Sequence, residues 1–228
     1  VEQDPSSTHS ISYVGTLTRL GQIAARLATR LGHAEQAQRL EQGLEKVPML
    51  MEKVLARENE VRAVAQEAVA QQRRIYFVGA GPNAVTAPEG ALKAKEAAYV
   101  TTEGFELEQA IHGPQVAFEA EDLMIPISVK GAAQARMDDF LLALSEIGTR
   151  TWLIGGIPTA KTMSLFNRPG WSHFALDDID LPEELTPMLA VVPVQLLADF
   201  LATARGTNAD SFRADQEAYK RAGARFRI

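Results

Sequence analysis

The sequence predicts an α/β protein: a three-layer α/β/α arrangement around a five-stranded parallel sheet, with a helical arm in front of it. Three observations carry this expectation. Between about Ile11 and Arg74 no strand-like run occurs, and apolar residues recur at helical spacing. After Arg74 short apolar runs alternate with helical stretches, the pattern of a parallel sheet covered on both faces. The last long apolar segment, ELTPMLAVVPVQLLADFLATARG, is Leu- and Val-rich nearly all round and is expected against that sheet.

In chain order, Leu17, Leu20, Ile23, Leu27 and Leu31 form one stripe on a first helix, which Gly32 ends. A second helix starts near Ala34, and a third is expected after Pro48, in MLMEKVLARENEVRAVAQEAVAQQ. The strands are read from IYFVG, YVTTEGF, LMIPISV, TRTWLIGG and HFALDD, with helices running to about Tyr99 and through ARMDDFLLALSEIG. The expected division is an arm over 1–73 and an α/β domain over 74–228.

Composition narrows the function. With 228 residues, 46% hydrophobic and 23% charged, the chain is globular, and a net charge of -6 with dispersed Lys and Arg offers no basic field to nucleic acid. The absence of cysteine excludes disulfides, thiolate metal sites and thiol nucleophiles, and fits a reducing compartment. No two of the four histidines have metal-ligand spacing, so no metal is expected. No stretch reaches the roughly 18 continuous apolar residues of a membrane span. The opening VEQDPSSTHS lacks the charged start and apolar run of a signal peptide. A cytoplasmic protein is expected, with no membrane partner, and its polar opening reads like the end of an earlier element.

The glycine turn after IYFVG admits two readings. Gly79, Gly81 and Ala84 satisfy G-x-G-x-x-A, and Glu103 lies at the distance a dinucleotide fingerprint requires. Against this, Pro82 removes an amide that would face a pyrophosphate, Pro88 interrupts the helix start, and the helix carries charges early. Alternatively the glycines make a tight strand-to-helix turn that brings backbone, with Asn83, close to a small ligand.

Glu89, Lys93 and Glu96 then share one face of an Ala-rich helix. As a solvated ladder they are worth only a few tenths of a kcal/mol. In a partly buried cleft, a carboxylate beside a lysine is equipped to transfer protons. His112, followed by Gly113 and Pro114, is expected in an exposed, rigid turn.

GAGPNAVTAPEGALKAKEAAYVTTEGFELEQAIHGP, continued in LPEELTPMLAVVPVQLLADFLATARGTNAD, resembles the sugar isomerase (SIS) domain family. The likeness is to the second such domain of two-domain proteins like the isomerase half of glutamine:fructose-6-phosphate aminotransferase and its amino-sugar-phosphate deaminase relatives. The segment from Thr8 to Arg74 resembles the family's connector. The resemblance implies a flavodoxin-like fold and a sugar phosphate ligand, with no cofactor. Glu96 would be the base moving a proton between C1 and C2 of an open-chain sugar phosphate, with Lys93 and Glu89 as supporting charges. His112 would assist ring opening from the partner subunit of a homodimer. Gly79, Gly81, Asn83, Ser7 and Thr8 would line the substrate, the last two as the remnant of a serine-rich phosphate loop. The family's catalytic lysine in the C-terminal tail has no secure equivalent, Lys220 being the nearest, and no glutaminase nucleophile is present. Isomerase, deaminase and deglycase chemistry stay open, as does a non-catalytic phosphosugar-binding module.

Overall fold

The computed structural model describes residues 8–176 and 180–226. Three helices come first, α1 (Ser10–Arg30), α2 (Ala34–Leu55) and α3 (Glu58–Ala70). Five strands follow: β1 (Ile75–Gly79), β2 (Thr102–Glu106), β3 (Leu123–Ser128), β4 (Arg150–Gly155) and β5 (Trp171–Ala175). The sheet has the order β2-β1-β3-β4-β5 and every pair is parallel. Connections run through α4 (Thr86–Ala98), α5 (Leu107–Ile111) and α6 (Gln134–Ile147), and α7 (Pro187–Arg205) and α8 (Glu217–Gly223) complete the chain. This is the expected flavodoxin-like, three-layer architecture.

Side chains alternate across the pleat and so divide the core. Phe77, Ile125, Ile127, Ile154 and Phe174 face a layer built from α3, α4 and α7. Val78, Met124 and Leu153 face α5 and α6. The all-round apolar segment is α7, buried along most of its length against α3 and α4. The stretch Glu183–Arg205 is long and apolar enough to cross a membrane, but 83% of its most apolar window is buried inside the protein.

The arm departs from its expected pattern in two places. Helix α2 runs straight through Pro48 and stops only at Ala56. Pro48 is exposed, where water can take the carbonyl its ring leaves without a donor. On α1 the expected stripe is not the packed one: Leu20, Ile23, Leu27 and Leu31 are exposed, whereas Gly21 and Ala25 are buried. Small residues win that face because α1 lies close to α2, and a Cβ on Gly21 would stand only 3.1 Å from the Leu44 side chain.

The arm is bound into the body. Leu50, Val54, Val61, Ala65 and Ala68 belong to the same core as the sheet. The guanidinium of Arg57 lies 4.0 Å above the Phe174 ring and donates to the Ala175 carbonyl at the end of β5. Arg62 covers Phe200 of α7 in the same way at 4.0 Å.

Candidate active site

Helix α4 is positioned by the glycine turn at its start. A Cβ on Gly79 would fall 2.0 Å from the Asn83 carbonyl oxygen, and Gly81 has φ +56, so both positions need glycine. The turn is one 3-10 segment, Gly81–Val85, with Pro82 at its start. Asn83, expected to face a ligand, is instead fully buried. Its amide donates to Thr186 Oγ1 at 3.0 Å and its Oδ1 accepts from Thr86 at 3.0 Å, which pins the turn to the start of α7. Glu103, the acidic residue of the dinucleotide reading, sits exposed on edge strand β2.

Farther along α4, Gly90 permits close contact with the sheet; a Cβ there would meet Phe77 and Val194 below 3 Å. Ala87, Ala91, Ala94 and Ala98 bury the same side. Glu89, Lys93 and Glu96 project from another flank into a contact with the start of α1. Lys93 is 7% exposed and its ammonium donates to Glu96 Oε2 at 2.7 Å and to the Thr8 carbonyl. Glu89 Oε1 stands 3.7 Å from the same ammonium. Side-chain exposures of 11% for Glu89 and 20% for Glu96 rule out the solvated-ladder reading.

Burial raises the Glu89 carboxyl above its usual range, with the Lys93 charge pulling it back and Glu96 pushing it further up. Across from it, burial and then the Glu89 charge push the Tyr13 phenol up to about 12, with Thr86 drawing it back. Tyr13 was not singled out in the sequence. It occurs four residues before Leu17, on the side of α1 that packs.

A cleft of about 200 Å³ reaches this cluster at Lys93, and Thr8, Ser10, Gln195, Asp199 and Asp210 also line it. The tail reaches it because Tyr99, just past α4, donates to the Asn208 carbonyl and accepts from the Arg213 amide. The Arg213 guanidinium stacks on Tyr99 and Tyr219 at 4.7 and 4.2 Å. Lys220 lies exposed on α8.

His112 caps α5, with its side chain 73% exposed and its Nε2 3.2 Å from Glu108, which also binds Arg136 at 2.6 Å. Helix α5 packs with α6 on the sheet face opposite α4. The single chain therefore does not bring His112 to the α4 cluster. Ser7 lies outside the described residues.

A second concavity of about 660 Å³ lies at the carboxyl edge of the sheet, lined by Val129, Lys130, Gly156, Asp180, Glu183 and Thr186 among others. It lies past the ends of β3, β4 and β5, on the edge of the sheet where open α/β folds hold ligands. The Glu183 carboxylate fills part of it, so close that a Cβ on Gly131 would fall 2.1 Å from its Oε1. Of the charged cluster, Lys93 lines the first cleft, and the two clefts share no lining residue.

The parallel 2-1-3-4-5 sheet is a flavodoxin-like arrangement, and in sequence and fold the chain resembles sugar isomerase (SIS) domain proteins. No protein-family model matches the chain. In sequence it is 33% identical, over 207 residues, to a glutamine–fructose-6-phosphate aminotransferase of Thermococcus kodakarensis, an alignment covering 89% of this chain and 32% of the relative. The chain spans about a third of the length of the curated relatives it matches. Among solved structures, the C-terminal domain of glucosamine-fructose-6-phosphate aminotransferase from Francisella tularensis shares the fold with a TM-score of 0.64 at 20% identity, over 76% of this chain and 47% of that one. An Escherichia coli CFT073 protein in complex with A5P does so at 0.60 and 14% identity, over 79% of this chain and 97% of that one. The particular likeness is to the second SIS domain in the isomerase half of the aminotransferase.

Proposed function

We propose that this domain serves a phosphosugar isomerase or amino-sugar-phosphate deaminase of the cytoplasm, moving a proton between C1 and C2 of an open-chain sugar phosphate. One observation carries the reading: Lys93, almost fully buried, is held between Glu96 and Glu89 at the wall of a cleft. A buried ion triplet is costly to maintain for stability alone. It suits a reaction that removes a proton next to a carbonyl, since a positioned carboxylate takes the proton and a nearby cation offsets the enediolate charge.

Glu96 is the base. Its Oε2 is oriented by Lys93 at 2.7 Å, which leaves Oε1 outside that bond. Lys93 holds the base, and Glu89 anchors Lys93 from the other side. Thr8, whose carbonyl binds Lys93, ties the beginning of α1 to the site. Gly79 and Gly81 shape the turn that sets the start of α4.

His112 opens the sugar ring from a second copy of the chain, in a homodimer. Its 73% exposure and its place on the sheet face opposite α4 support that assignment. The exposed apolar residues of α1 offer further surface to such an assembly.

The test is exchange of a C1 proton of fructose-6-phosphate and of the C2 proton of glucosamine-6-phosphate with solvent, followed by NMR. Glu96→Gln keeps shape and volume, and its expected effect is a fall of about 10²–10⁴-fold in exchange with binding retained. Undiminished exchange in that variant would refute Glu96 as the base. Binding with no exchange in the unaltered protein would assign the non-catalytic sugar-phosphate module instead.

A further inference from the structure

Two buried polar atoms at the contact of α1 with α4 have no hydrogen-bond partner, Tyr13 Oη and Glu89 Oε1. Their needs are complementary: the phenol is a donor lacking an acceptor, and the carboxylate oxygen is an acceptor lacking a donor. Leaving such groups unmatched is unfavourable, so buried polar atoms are nearly always paired. Lys93 does not satisfy Glu89, because at 3.7 Å it is beyond hydrogen-bond range and is committed to Glu96 and the Thr8 carbonyl. Thr86 does not satisfy it either, since its hydroxyl hydrogen goes to Asn83.

We propose that Tyr13 is a positioning residue for the site: its hydroxyl donates to Glu89 Oε1 through one bridging water, and holds Glu89 as a carboxylate beside Lys93. The charged neighbours agree with this direction. On α4, Lys93 favours the Glu89 carboxylate and Glu96 opposes it; Asp199 on α7 and Asp210 on the tail, which line the same cleft as Lys93, are negative as well. Burial adds to the opposition. One cation faces several acids, so a neutral donor is the group the cluster lacks. With Glu89 ionised, Lys93 is shared between two carboxylates. Without the donor, Glu89 takes up a proton at higher pH and Lys93 passes wholly to Glu96.

The proposal concerns the site on which the isomerase reading rests, and its first test needs no turnover. The side-chain carboxyl ¹³C signal of Glu89 is followed against pH in the full chain and in Tyr13→Phe. The expected result is an upward shift of the Glu89 midpoint by about one pKa unit, a tenfold gain in proton affinity, because a hydrogen bond to the charged form has been lost. An unchanged or lowered midpoint overturns the proposal and leaves Tyr13 as a donor to Thr86. If Tyr13→Phe does not fold, the Tyr13 Cζ signal of the unaltered chain replaces it: an inflection at the Glu89 midpoint supports the pairing, and its absence overturns it. A Glu89 shift without exchange in either chain would leave the Tyr13 contact standing while the isomerase reading fell.

Discussion

Lys93→Met is the most informative single perturbation of the candidate site. Methionine keeps the length and apolar stem of lysine, so the change removes one charge and its donors with little loss of packing. What remains is a pair of carboxylates, Glu89 and Glu96, with side-chain exposures of only 11% and 20%, and a Thr8 carbonyl without its donor. Breaking a buried ion pair by removing one partner costs about 3–5 kcal/mol. Because Glu96 retains some contact with solvent, the lower end applies, about 3 kcal/mol at pH 7. With a urea dependence of about 2 kcal/mol per molar, the unfolding midpoint should fall by roughly 1.5 M.

The deficit should also depend on pH, with a definite sign. Burial already holds the Glu89 carboxyl above its usual range, and Lys93 is the charge that pulls it back. Without Lys93 its folded-state value rises further. A carboxyl raised in the folded state leaves stability intact below its unfolded value and loses it as pH rises through the folded value. The Lys93→Met deficit should therefore be small near pH 4 and full at pH 7, and Glu89→Gln in the same background should recover part of it. Equal deficits at both pH values, or a loss under about 1 kcal/mol at pH 7, would refute the claim that this lysine neutralises a buried pair.

Three further outcomes are expected. Mixing Glu96→Gln chains with His112→Ala chains should restore part of the exchange activity after subunits equilibrate, and none should return if both residues serve one subunit's site. Gly79→Ala, whose Cβ would fall 2.0 Å from the Asn83 oxygen, should cost about 3 kcal/mol or more by chemical denaturation, whereas Gly15→Ala on α1, with nothing within 4 Å, should gain up to about 1 kcal/mol. Isothermal titration of this chain with fructose-6-phosphate should show millimolar or weaker affinity, because Glu183 presents a carboxylate at the sheet edge where a phosphate would otherwise be received; micromolar binding would place a phosphate site within the chain.

Much of the fold is legible in the chain because its signals are local. Five apolar runs of strand length, each followed by a turn or helix, leave a parallel sheet as the economical arrangement, and all five appear where expected. The spacing of Glu89, Lys93 and Glu96 likewise states that they share a flank of one helix. Their burial was not legible, because it depends on where α1 begins and on the Thr8 carbonyl that meets Lys93. Asn83 looked like a ligand contact in a glycine turn, and it is the partner of Thr186, 103 residues away, that redirects it. On α1, side-chain size favoured the leucine stripe, but the close approach of α2 selected the face with Gly21 and Ala25. Tyr13 escaped notice because nothing in its local sequence marks it.

Periodicity, turn chemistry and charge spacing are properties of short segments, and by themselves they determined the order and type of the elements and the grouping of two carboxylates with one cation on α4. Which charges are withdrawn from water was decided only in the tertiary structure. There α1, α7 and the tail pinned by Tyr99 and Arg213 converge on Lys93. The physical reason is that an ionisable group's chemistry is set by its solvation and by the charges within a few ångströms of it. For Glu89 those neighbours include Tyr13, which lies 76 residues away in the chain and whose phenol the Glu89 charge helps to push up.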